Sequence, residues 1–109
     1  MNFARGPDVE AEIYLLPSSE GGRSAPAFNG YRPQHQIRAD YQTSGTHQYA
    51  QRDRLAPGES TRGTITFITP DAYPNLLRAG DVIDILEGSR LVGRATILRV
   101  LNRSLERAG

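Results

Sequence analysis

Val9, Ala11, Ile13 and Leu15 alternate with Glu10, Glu12 and Tyr14. Successive side chains of an extended chain point to opposite faces, so this period of two predicts a strand with one face in a core. The rest of the chain continues in strands and turns. Residues 17–33 hold three prolines and three glycines and are expected to form a loop, with Phe28 and Tyr31 as its packing groups. A loop of this length points to a binding role. His35, Ile37 and Ala39 alternate with Gln36 and Arg38 as a second strand. Ser44-Gly45 predicts a turn into a short strand near Thr46–Ala50, and Pro57-Gly58 a further turn. Residues Thr64–Thr69 are rich in β-branched side chains, contain Phe67, and are bounded by Pro70 and Pro74, which favours a strand over a helix. Gly80 precedes a strand over Asp81–Leu86, and Gly88-Ser89 joins it to Leu91–Leu101 with the spacing of a tight hairpin. The polar tail 102–109 is expected to fray.

About six strands with regularly spaced turns, and no segment of helical period, predict an all-β fold, a closed barrel or a sandwich. Its expected interior includes Val9, Ile13, Leu15, Ile37, Ile65, Phe67, Val82 and Ile97. At 109 residues the chain fits one domain, and without cysteine it has no disulfide or thiolate metal site to support that core. Met1–Glu12 carries Arg5, Asp8, Glu10 and Glu12 and no apolar run, which points away from a signal peptide or membrane span and towards the cytoplasm.

The net charge is +1, too small for a protein that grips nucleic acid by bulk electrostatics, although local patches remain open. All thirteen cationic residues are arginine. Arginine's planar fork suits bidentate contacts to phosphate or carboxylate, but its spread from Arg5 to Arg107 fits the base composition of a G+C-rich genome better than a dedicated patch. His35 and His47 with Asp40 lack the spacing of a zinc ligand set, so the histidines are expected at the surface or half-buried. No Ser-His-Asp or Cys-His set is evident, and Glu10 and Glu12 read as a solvated strand face. With no lysine at all, the chain offers no phosphate-cradling P-loop, and neither GTP binding nor GTP hydrolysis is expected.

The stretch GGRSAPAFNGYRPQ, Gly21 to Gln34, resembles the GGR and GYRPQ signature of the third domain of bacterial elongation factor Tu. Upstream, DVEAEIYLLP at Asp8–Pro17 is similar to that domain's first strand. Downstream, Ser44-Gly45-Thr46, Pro57-Gly58-Glu59 and EGSRLVG at Glu87–Gly93 follow in the family's order with similar spacing. The resemblance covers residues 8–101 and implies a six-stranded antiparallel β-barrel, here on a chain of its own, between an N-terminal extension over 1–7 and a polar tail over 102–109.

It also implies a non-catalytic binding module without cofactor, metal or small-molecule substrate. In the family this domain contacts the T stem of aminoacyl-tRNA, the GTPase domain and the nucleotide-exchange factor. The T-stem positions carry over to Gln34, Ser44 and Glu87, whose amide, hydroxyl and carboxylate suit contacts to ribose, phosphate or a guanine amino group. Arg23, Arg32 and Arg90 lie near them in sequence. A former GTPase-domain interface carries over to Gly21, Gln34 and Asp84. Ser44 keeps the hydroxyl of the family's usual threonine, whereas His35-Gln36-Ile37 replaces an aromatic-rich segment, Ala27 one of two adjacent aromatics, and Asp84 a small apolar residue. An unpaired Asp84 buried against another domain would cost several kcal/mol, which opposes that contact. Two partners follow as expectations: a protein of the translation machinery first, and tRNA as the alternative.

Overall fold

The computed structural model describes residues 6–72 and 74–107. Residues 1–5 of the expected extension, and 108 and 109 of the expected tail, lie outside the described residues. The chain forms β1 (Val9–Leu15), β2 (Ala27–Phe28), β3 (Gln34–Arg38), β4 (Tyr41–Tyr49), β5 (Arg54–Leu55), β6 (Ser60–Phe67), β7 (Val82–Glu87) and β8 (Arg90–Val100), with short 3-10 turns between some of them. Six strands close into an antiparallel barrel in the order β1-β6-β4-β3-β7-β8, while β2 and β5 pair as a separate ribbon. The fold is therefore all-β, as expected.

Closure removes sheet edges and gives each strand one inward face. In β1, Val9, Ala11, Ile13 and Leu15 are all fully buried, so the alternation read from the sequence holds residue for residue. Ile37, Ile65, Phe67 and Ile97 are also interior. Val82 is not: it is 58 % exposed, and Ile83 and Ile85 take the core positions of β7. With apolar residues at both 82 and 83 the phase of that strand was ambiguous, and pairing with β3 and β8 decides it.

Three register shifts, in β1–β8, β3–β4 and β7–β8, accompany the bending of the sheet into a barrel. Gly93 lets β8 approach β1, since a Cβ there would lie 2.3 Å from the Tyr14 carbonyl oxygen. Ser44-Gly45, expected as a turn, lies inside β4 instead; the strand runs through from Tyr41, and its turn from β3 falls at Ala39 and Asp40. Gly45 serves packing: a Cβ would meet Ile65 Cγ2 at 2.7 Å and His35 Cε1 at 2.9 Å. The turn residues Gly58, Gly80 and Gly88 do adopt positive φ, at 87°, 96° and 64°.

The loop 17–33 contains β2, which pairs with β5 and buries Ala27 and Leu55 completely. Phe28 stays 53 % exposed beneath the Arg54 guanidinium, whereas Tyr31 packs against the core as expected.

The expected fraying of the tail is corrected over residues 102–107. Leu105 is fully buried, its carbonyl accepts from Leu77 N–H at 2.9 Å, and Arg107 N–H donates to the Leu77 carbonyl at 2.7 Å. Asn102 donates its amide to Asp8 Oδ1 at 2.8 Å, and Asp8 Oδ2 accepts from Phe67 N–H at 2.7 Å. The buried Asp8 thus joins the start of β1, the end of β6 and the tail, with donors that offset the cost of burying a carboxylate. A single leucine in a polar segment carries no periodic signal, which is why this docking was invisible in the sequence.

Candidate functional site

The register of β3 sets the geometry. Gln34 opens β3 opposite Ser44 of β4 on one side and Leu86 of β7 on the other. Its amide donates to Ser44 Oγ at 2.8 Å, so two of the expected contact residues are in direct contact with each other. Glu87 follows Leu86 and pairs with Arg90 across the two-residue β7–β8 hairpin. Gln34, Ser44 and Glu87, far apart in sequence, therefore lie along one end of the β4–β3–β7 wall.

Glu87 is the centre of a charged cluster. Its Oε2 accepts from the Arg23 guanidinium and from the Tyr31 hydroxyl, and its Oε1 from Arg90 Nη2 at 3.3 Å. Arg23 also donates to the carbonyls of Ala25 at 3.1 Å and Pro26 at 3.2 Å, and its guanidinium carbon lies 4.6 Å from the centre of the Tyr31 ring. The loop 17–33 is thereby fastened to the β7–β8 hairpin. Partial burial works to raise the Glu87 pKa, but hydrogen bonds from Tyr31 and Arg23 and the charges of Arg23 and Arg90 outweigh it and hold the carboxyl below its usual range. Burial and the Glu87 hydrogen bond push the Tyr31 hydroxyl far up, so it stays a donor.

Arg32 projects from the loop between Tyr31 and β3, exposed and without an ion pair among the described residues. The set Gly21, Gln34 and Asp84 is less coherent. Asp84 lies one pleat along the same outer wall, opposite Gln36 and Arg94, with Arg94 Nε at 3.4 Å. Gly21 ends the 3-10 turn after β1 with φ 90° and donates its N–H to Ser18, and no hydrogen bond joins it to Gln34 or Asp84.

Behind this wall the barrel holds a pair of histidines that sequence reasoning placed at the surface or half-buried, a reading the structure corrects. His35 and His47 are both fully buried, with Nε2 atoms 2.8 Å apart. His35 Nδ1 lies 3.3 Å from the Thr43 carbonyl oxygen, and His47 Nδ1 3.3 Å from the Tyr49 hydroxyl. A carbonyl only accepts, so His35 Nδ1 carries the proton; its Nε2 then accepts from His47 Nε2–H, and His47 Nδ1 accepts from Tyr49. One directed chain satisfies every group with both rings neutral. Burial lowers the His35 pKa to about 4, against a smaller opposing effect of the Thr43 hydrogen bond. Burial and then repulsion from His35 take His47 well below its usual value. Tyr49 is pushed up to about 12 by burial. The only signal for this pair was phase, since His35 shares parity with buried Ile37, and His47 with Thr43 and Gly45.

Tyr31 touches both assemblies. Its hydroxyl donates to Glu87, its ring and the His47 ring are nearly perpendicular with centroids 5.5 Å apart, and its carbonyl accepts from His47 N–H at 2.8 Å.

Among the described residues, no group of three or more histidine, aspartate or glutamate side chains is placed to hold a metal ion. The same residues include no helix long and apolar enough to cross a membrane. Open grooves lie elsewhere, along Pro26, Arg52, Arg54 and Glu59, and along Glu12, Gln51 and Arg62. Along the wall the Gln34–Ser44 bond and the Glu87 cluster match donors to acceptors, while Arg32 stands exposed beside them. No protein-family model matches this chain.

Proposed function

We propose that the barrel is a non-catalytic binding module, resembling the third domain of elongation factor Tu, which engages a protein partner of the translation machinery through the wall around Gln34, Ser44 and Glu87. The observation that carries this reading is the internal use of the wall's charge: both arginines beside Glu87 are engaged by its carboxylate. Polar surfaces whose groups are already satisfied lose little on desolvation, which suits docking to another protein. Nucleic acid instead draws its affinity from unpaired cations facing phosphate.

A second reading, weak binding of the tRNA T stem, is favoured by the assembly of Gln34, Ser44 and Glu87 on adjoining strands. One experiment separates the two. The protein and a Gln34→Arg/Ser44→Arg variant serve as baits in host lysate, with and without nuclease, and captured protein and RNA are scored separately. The protein reading expects a translation factor retained after nuclease by wild type and lost by the variant. Recovery of RNA alone, or of proteins that leave with nuclease, would establish the second reading in its place.

A further inference from the structure

We infer that Glu87 is a specificity-determining residue of this wall: by holding Arg23 and Arg90 in internal pairs, it withholds their charge from polyanions and so turns the surface away from nucleic acid. The inference rests on the protein-binding reading and explains how a wall that carries this pair of arginines could favour a protein.

The geometry supports it from three sides. Donors from the long loop and from the facing strand converge on one carboxylate, with Oε2 taken by Arg23 and Tyr31 and Oε1 by Arg90. Arg23 has three of its five N–H groups engaged, by Glu87 and by the carbonyls of Ala25 and Pro26, and its plane lies over Tyr31, so the group is held in place and turned to partners within the chain. Arg23 is also the more enclosed of the two, its side chain 22 % exposed against 58 % for Arg90. A phosphate approaching Arg90, the most exposed member, finds its guanidinium already facing the Glu87 carboxylate, and like charges across an interface are a common device for rejecting a wrong partner. The carboxyl stays ionised well into acid, since Tyr31, Arg23 and Arg90 together outweigh the opposing effect of its partial burial. The neighbouring pair Arg94–Asp84 differs: it is a simple exposed contact at 3.4 Å with both side chains about half exposed.

The test is a gain of binding. Glu87→Gln preserves shape and can still accept from Tyr31, but releases the two guanidiniums. Affinity for a short synthetic RNA duplex is measured by fluorescence anisotropy over a series of salt concentrations, for wild type, Glu87→Gln, Asp84→Asn, and Glu87→Gln combined with Arg23→Gln and Arg90→Gln. Urea denaturation checks that each variant is folded. The expected result is weak binding by wild type and roughly tenfold tighter binding by Glu87→Gln at low salt. The slope of log affinity against log salt should steepen by about one to two, one for each phosphate newly neutralised. The gain should disappear in the combined variant.

Asp84→Asn makes the same change in net charge and isolates the effect of position, so an equal gain there would overturn the inference in favour of general charge. Unchanged or weaker RNA binding by Glu87→Gln would also overturn it, the latter by making Glu87 itself a nucleic-acid contact. Neither result touches the nuclease-resistant capture that tests the protein reading. Tight RNA binding by wild type, in contrast, would count against both.

Discussion

The Glu87 cluster and the His35–His47 pair are two polar assemblies in contact with the same tyrosine, and they manage polarity in opposite ways. On the outer wall, charge is kept and partly offset: one carboxylate gathers two guanidiniums and a hydroxyl while remaining in reach of water. In the histidine pair, charge is absent: two rings, a hydroxyl and a carbonyl form a chain that is satisfied only when both histidines are neutral. Solvent makes the difference. An exposed ion pair contributes little to stability and can therefore be devoted to recognition, whereas a buried network is costly to leave incomplete and binds the fold to one arrangement. Tyr31 lies between the two, so the surface loop inherits its position from the interior.

The largest expected effect breaks the interior chain. His47→Ala removes the donor to His35 and the acceptor of Tyr49 and leaves a cavity, and should cost about 3–5 kcal/mol in urea denaturation. His35→Leu combined with His47→Leu should cost less than the sum of the single changes, since fewer polar groups are stranded. Strict additivity would mean that the two rings do not act as a unit.

Acid should distinguish the regions by their windows. Both histidines have folded-state pKa values below the ordinary 6.5, so the unfolded chain takes up protons first. Their contribution is complete above pH 6.5 and is lost as pH falls towards about 4, at about 1.4 kcal/mol per pH unit for each ring and so about 2.7 for the two together. The Glu87 contribution is also lost in acid, but only below the ordinary carboxyl range of about 4.5. Stability measured across these pH values should therefore fall in two steps, the first missing from the double-leucine variant. A flat profile between pH 6.5 and 5 would contradict the buried neutral pair.

Gly45→Ala probes the packing of the chain without removing a polar group. The added methyl would press on Ile65 and His35, and the expected cost is about 1–3 kcal/mol. Smallest of all is Glu87→Gln, expected to change stability by less than about 1 kcal/mol because Arg90 is largely exposed and the new amide oxygen can still accept from Tyr31 and Arg23. A loss as large as that of His47→Ala would mean that the surface cluster holds the fold and is not free to serve recognition.

Much of the architecture was legible along the chain because strands declare themselves locally. The alternation from Val9 to Leu15 and the hairpin at Gly88-Ser89 are written in consecutive residues and were observed where expected, while the β-branched run Thr64–Thr69 marked a strand that in fact begins at Ser60 and ends at Phe67. The motif residues Gln34, Ser44 and Glu87 were also legible as candidates, though not the fact that Gln34 bonds Ser44 while Glu87 is claimed by Arg23, Tyr31 and Arg90. Local pattern failed where a neighbour in space made the decision. Ser44-Gly45 resembles a turn until β6 lies alongside it, Val82 competes with Ile83 until β3 and β8 fix the phase, and Leu105 looks idle until Leu77 and the barrel end receive it. The sequence by itself determined an extended, turn-punctuated chain with enough alternating apolar residues for an all-β core, because period and turn chemistry act over a few residues. Only the tertiary structure decided that two histidines would be buried and neutral and that Glu87 would be enclosed by arginines, because hydrogen bonding and desolvation depend on groups that closure of the barrel brings together from distant parts of the chain.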